Sequence, residues 1–142
     1  MNGIKNNRSL IIKLVIISVL LLWWFFPTRI VSFQPSDVSE IYIIDRTHGE
    51  EVTITHPDDI NHIITNLNSV SVKKSGLAFG FGLYYDVTIY GQNGKPLSAF
   101  VIQMTTEIKK GILFYRVYQS DGPYIDIDFI TNIFKNYGIE WD

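Results

Sequence analysis

The residues able to carry chemistry are few and scattered. His48, His56 and His62 are the three histidines of the 142-residue chain, and a zinc site asks for convergent ligands at a spacing that orients them. His56 and His62 straddle a predicted helix start and do not share a face. They read as titratable surface side chains, with His56 as a candidate cap for a helix beginning at Pro57. Zero cysteines exclude disulfides, thiolate metal sites, iron–sulfur ligation, cysteine-borne lipid and a thiol nucleophile. Asp121, Asp126 and Asp128 offer the oxygens a hard cation prefers, but the twelve-residue calcium-loop spacing is absent, and turn formation or helix capping accounts for them. Neither a nucleophile elbow nor a triad pattern is present. No catalytic residue, cofactor or metal ligand is therefore assigned.

Two stretches point to recognition. Gly76-Leu77-Ala78-Phe79-Gly80-Phe81-Gly82 has the glycines of a phosphate cradle in the wrong context, because such cradles open a helix and this one leads into a strand. It reads as a connection whose Phe79 and Phe81 either fold onto the core or meet a protein partner or the membrane surface. Further on, Asp86 stands in a strand pattern with Tyr84 and Tyr90. These side chains read as a solvated sheet face, or with Tyr115 and Tyr118 as the lining of a polar, aromatic pocket, and Asp86 would pair with Arg116 if their strands neighbour on one face. Candidate partner-binding residues are Phe79, Phe81, Tyr84, Asp86 and Tyr90.

The elements that must position these residues fall into two parts. Residues 1–35 carry Lys5, Arg8, Lys13 and Arg29 and no acid, a net of +4, whereas the remainder holds all fourteen acids against eight bases, a net of −6. An acidic body without a basic stripe gives nucleic acid no electrostatic hold. From Leu10 to Phe26 seventeen residues include only Lys13 and Ser18 as non-apolar types, and as a helix they cover about 26 Å, near the lower limit for crossing a bilayer. Lys13 lies close enough to the start to reach the headgroups along its stem, and Trp23 and Trp24 sit where aromatic rings favour the far interface. The basic excess ahead of the span predicts a cytoplasmic N-terminus. The stretch after Phe26 offers no small-x-small cleavage signal, so an uncleaved anchor is expected rather than a removed leader. The expected division is a cytoplasmic segment at 1–9, an anchor at 10–26, a non-helical stalk at 27–36 and an extracytoplasmic domain at 37–142.

Within that domain, Val38–Ile44 and Glu51–Thr55 flank His48-Gly49 as a hairpin. Pro57, Asp58 and Asp59 then open a helix whose Ile60, Ile63, Ile64 and Leu67 form one apolar stripe. After a short strand at Val70–Lys74, Leu83–Tyr90 alternates with a period of two, Asn93-Gly94 turns into Leu97–Met104, and Lys110-Gly111 turns into Ile112–Tyr118. A last helix has Ile130, Ile133, Phe134 and Tyr137 on one stripe, Asp126 or Asp128 as N-cap and Gly138 as stop. The class is α+β: one antiparallel sheet of five or six strands in the order β-β-α-(β)-β-β-β-α, with both helices on one face.

The pattern Val38–Ile44, Gly49, Glu51–Thr55, then Asp58-Asp59-Ile60, Ile63-Ile64 and Leu67, resembles the opening of small extracytoplasmic proteins of Gram-positive bacteria. There a strand pair around a glycine leads into a helix of the form Asp-Asp-Ile-x-x-Ile-Ile-x-x-Leu. The resemblance implies a membrane-tethered domain; members are often tethered through a lipidated cysteine, which this chain replaces with its N-terminal helix. Its residues are structural, so it transfers no functional position. The expected role is a non-enzymatic accessory domain binding a protein, peptide or envelope component. The alternatives are a small hydrolase or ligand-modifying enzyme using Asp86 or Asp126, and a structural subunit of a membrane complex.

Overall fold

The computed structural model describes residues 3–76, 84–111, 113–117 and 122–139. Phe79, Phe81, Ile112, Tyr118 and Asp121 lie outside them. Helix α1 runs Gly3–Phe25, and its stretch Arg8–Phe25 is long and apolar enough to cross a membrane. Its leucines, isoleucines and valines from Leu10 to Leu22 are exposed throughout. A helix apolar on every side has no polar face to turn to water.

The other described residues build one fully antiparallel sheet, two α-helices and, at the end of the segment expected as a non-helical stalk, a single 3-10 turn at Pro35–Asp37. Its strands are β1 Thr28–Arg29, β2 Val38–Asp45, β3 Glu50–Ile54, β4 Ser71–Gly76, β5 Tyr85–Gly91, β6 Pro96–Met104, β7 Glu107–Lys110 and β8 Leu113–Val117. They lie in the order β1-β4-β8-β7-β6-β5-β2-β3. Helix α2, Pro57–Ser69, carries the chain from the β3 edge to β4 at the far side, and α3, Ile127–Asn136, closes the domain.

The α+β class and the single antiparallel sheet match expectation, but among the described residues there are eight strands rather than five or six. Two were not expected. β7 carries one buried apolar side chain, Ile108, among Glu107, Lys109 and Lys110, so it lacks a legible alternation; what makes it a strand is pairing on both sides, to β6 and β8. β1 lies within the segment expected as a stalk. Thr28 and Arg29 pair with Val72 and Ser71, and Ile30 and Val31 then enter the core at 2% and 4% exposure. A two-residue strand has no periodicity to read, and only its neighbour β4 reveals it.

Alternation decides the faces. Ile41, Ile43, Val52, Ile54, Tyr85, Val87, Ile89, Phe100, Ile102 and Ile108 point to one side, where Ile60, Ile63, Ile64 and Leu67 of α2 and Ile130, Ile133 and Phe134 of α3 join them in one core. Burying such side chains contributes roughly 1.5 to 3 kcal/mol each before entropy is counted. The helix ends follow their capping residues. Asp126 Oδ1 accepts the Phe129 amide at 3.0 Å, and Gly138, at φ +82°, ends α3 with its amide on the Lys135 carbonyl and the Ile139 amide on that of Phe134. This paired 5→2 and 6→1 closure is a Schellman motif, which needs a left-handed residue. His56 stands at the N-cap of α2, but its side chain makes no capping bond; only its carbonyl takes part, accepting the Ile60 amide.

Candidate functional site: the outer sheet face

The sheet face opposite the helices carries Asp86, Thr88 and Tyr90 of β5, since these alternate with the buried Tyr85, Val87 and Ile89. Register aligns Ile44 of β2 and Val101 of β6 with Asp86, and Lys109 of β7 with Val101. Between them lies an open hollow of about 240 Å³, with Asp86 on one rim, Lys109 and Gly111 on the other, and Thr88, Ala99 and Val101 between. Small side chains at Thr88 and Ala99 leave the space that a larger pair would fill. The hollow is smaller than the roughly 300–1,000 Å³ of an enclosing small-molecule site.

Electrostatics along this face run in local pairs. Arg46, just past β2, grips Asp86 through Nε at 2.8 Å and through its terminal amine. Tyr42 donates to Glu51 across the β2–β3 ladder, and that bond, more than burial, raises the Tyr42 phenol above its ordinary pKa. Arg116 donates to Glu107 on the neighbouring strand, Nε to Oε1 at 2.9 Å. Asp86 and Arg116 therefore do not pair with each other: both are on the outer face, but β6 and β7 stand between their strands.

Of the candidate partner-binding residues, Asp86 and Tyr90 share the outer face, and Tyr84 precedes β5 with its carbonyl accepting the Arg46 amide. Phe79 and Phe81 lie outside the described residues. Tyr115 departs from the expected cluster. It aligns with Lys74 and Ile108 and so faces the core side, because a strand turns successive side chains to opposite faces.

Two acid–histidine pairs were not anticipated. Asp45, fully buried at the end of β2, accepts the amides of Thr47 at 2.7 Å and His48 at 3.3 Å, and Nδ1 of His48 at 2.7 Å. A carboxylate taking the amides two and three residues on is a turn device, and an Asp before a glycine turn was the available signal. His62 and Asp126 meet between α2 and α3, Nε2 to Oδ2 at 2.9 Å, with the imidazole stacked 3.7 Å from the Phe129 ring. The His62 bond, with the Phe129 amide adding to it, holds the Asp126 carboxyl below its ordinary pKa. Asn66 completes the joint: its amide donates to the Tyr124 carbonyl and its oxygen accepts the Asp126 amide. The crevice beside this pair is too tight to hold a water molecule, and the pair serves as a clasp between helices. Among the described residues no three His, Asp or Glu side chains group as metal ligands.

The last site residues belong to α1. Lys13 is exposed on the apolar helix, Trp24 is half-buried, and Trp23 receives the Lys74 ammonium, which donates to its carbonyl at 3.0 Å and lies 3.2 Å from its ring centre. No protein-family model, no curated protein and no solved structure matches the chain, so the reading of this face rests on its own residues.

Proposed function

We propose that the chain is a membrane-tethered binding module, with α1 crossing the cytoplasmic membrane, its basic N-terminus inside and the sheet domain outside. The outer sheet face then receives an extended segment of a protein or peptide partner. The hollow between Asp86 and Lys109 carries this reading: opposite charges stand on its two rims, small side chains line its floor, and it is open to an incoming chain. Lys5 and Arg8 before the apolar run, with Lys13 one turn inside it, support the orientation. In this reading the protein belongs with the tethered extracytoplasmic domains of Gram-positive bacteria that its strand–helix opening resembles.

Placing a photo-crosslinking residue at Ala99, in intact cells, tests the proposal. A discrete adduct is expected from Ala99, reduced by the additional change Asp86→Lys, and none from the same residue placed at Asn61, which is exposed on α2 on the other side of the sheet. Equal adducts from both positions, or none from Ala99, would refute the assigned face. Protease added outside the cells should digest the domain and leave a membrane-bound stub; full protection would reverse the orientation.

A further inference from the structure

The charges of the sheet are sorted by strand. β1, β4, β8 and β7 carry Arg29, Lys73, Lys74, Arg116, Lys109 and Lys110 against Glu107 alone, a net of +5. β6 has no ionisable side chain, and β5, β2 and β3 carry Asp86, Glu40, Asp45, Glu50 and Glu51 with no base, a net of −5. An overall charge of −2 conceals this gradient. It is invisible in the sequence because β4 is brought beside β8, and so onto the basic side of the sheet, only by the crossover through α2.

The basic half is also the half nearest the span. β1 begins three residues after α1 ends, and Lys74 near the end of β4 holds the Trp23 carbonyl. Antiparallel pairing sets Gly76 of β4 beside Phe114 of β8, and Leu113 beside Lys110. The β7–β8 turn therefore lies at the same end of the sheet as the end of the span. There a cavity of about 280 Å³ opens, in which Thr28, Arg29, Lys110 and Tyr115 gather above Ile30 and Ile108. Arg29 and Lys110 are exposed, and neither has an acid partner among the described residues.

Two uncompensated cations and two hydroxyls converging at the exit of a spanning helix match the chemistry of one ligand at that depth. We propose that this cavity holds the phosphate of an anionic phospholipid headgroup from the leaflet in which α1 ends. Arg29 offers a planar fork to two phosphate oxygens, Lys110 a second positive charge, and Thr28 and Tyr115 hydroxyl donors. The site fixes the basic half of the sheet against the membrane and turns the acidic half toward the aqueous space. This inference rests on the reading that α1 crosses the bilayer.

The test uses the full chain in nanodiscs of phosphatidylcholine alone or doped with phosphatidylglycerol. An uncharged, water-soluble acylating reagent labels the lysines, and mass spectrometry reads the rate at each. Lys110 should react at least about fivefold more slowly in the anionic discs, as expected for a surface charge held by anionic lipid, while Lys95 and Lys135 keep their rates. Arg29→Gln should remove most of that protection. Equal Lys110 rates in the two discs, with the chain still embedded, would overturn the site and leave the anchor standing. Protection that survives Arg29→Gln would indicate diffuse attraction and equally overturn it. Inorganic phosphate that protects Lys110 to the same degree in neutral discs would assign the cavity to the free anion instead. Failure of the chain to enter either disc would defeat the anchor and the site together.

Discussion

The Lys74 ammonium is held between two features of one residue, donating to the Trp23 carbonyl at 3.0 Å and standing 3.2 Å from the centre of its indole. Lys74 is itself only 9% exposed. Trp23 lies in the last turn of α1, where backbone carbonyls lack intrahelical partners and a cation is favoured by the helix dipole. The contact joins α1 to β4, so the domain stands on the end of the helix.

Lys74→Met should therefore loosen that joint. Loss of a charged hydrogen bond and a cation–π contact is expected to cost about 1 to 3 kcal/mol, read as a lower thermal midpoint of the detergent-solubilised chain. Lys74→Arg, which keeps the charge and can still meet the indole face, should recover most of the loss. A midpoint unmoved by Lys74→Met would show that the joint is not held in solution.

Truncation separates α1 from the domain at a particular residue. A fragment beginning at Pro27 retains β1, Ile30 and Val31, and should fold cooperatively. One beginning at Ser36 loses two side chains exposed by only 2% and 4%, together worth about 3 to 6 kcal/mol as an upper estimate. Against a typical total of about 5 to 15 kcal/mol this is a large share. Urea unfolding followed by circular dichroism should give the shorter fragment a much lower midpoint, or no transition; equal midpoints would return residues 27–35 to the status of a stalk.

The clasp between α2 and α3 should respond to acid. The folded state depresses the Asp126 pKa, first through His62, so the unfolded chain binds this proton more readily. The stabilisation is accordingly complete above the unfolded carboxyl value of 3.8 and disappears as pH falls through the lower folded value. Both side chains are more than a third exposed, which keeps the pair itself below about 1 kcal/mol. His62→Ala should lower stability near neutral pH, and the difference from the native chain should vanish at the acid end. Asp126→Ala should cost about 1 kcal/mol more, through loss of the helix cap.

A buried phenol ties α3 to the sheet. Tyr85 is 2% exposed, its hydroxyl lies 3.0 Å from Thr131 Oγ1, and its ring meets Phe134 at 5.9 Å. Tyr85→Phe should cost about 1 kcal/mol and Tyr85→Ala about 3 to 5 kcal/mol. Burial raises the Tyr85 pKa above 10.0, so the folded state keeps a proton that the unfolded chain releases first. Stability contributed by the neutral phenol is present below pH 10.0 and falls as the medium becomes more alkaline. Alkaline unfolding of the Tyr85→Phe chain should lack that component.

Wherever apolar residues repeat at a clear period, local sequence was enough. The stripe Ile60, Ile63, Ile64 and Leu67 places α2, the alternation from Tyr85 to Tyr90 places β5 and both its faces, and Asp126 and Gly138 mark the ends of α3. Each signal acts within one or two turns of chain. The candidate site was legible only in part for the same reason. Alternation puts Asp86 and Tyr90 on one face, but Arg46 as the partner of Asp86, and Lys109 as its opposite across the hollow, depend on strand order.

Composition and spacing by themselves determined an apolar helix ahead of an acidic body, the α+β class, and the identity of both domain helices. Tertiary structure alone decided that Thr28 and Arg29 form a strand, that Glu107–Lys110 is another, and that Lys74 reaches Trp23. It alone sorted the lysines and arginines into one half of the sheet. The physical reason is range: a hydrophobic period is written in consecutive residues, whereas a strand's neighbours and the field they create come from segments dozens of positions away, fixed only when the crossover through α2 closes the sheet.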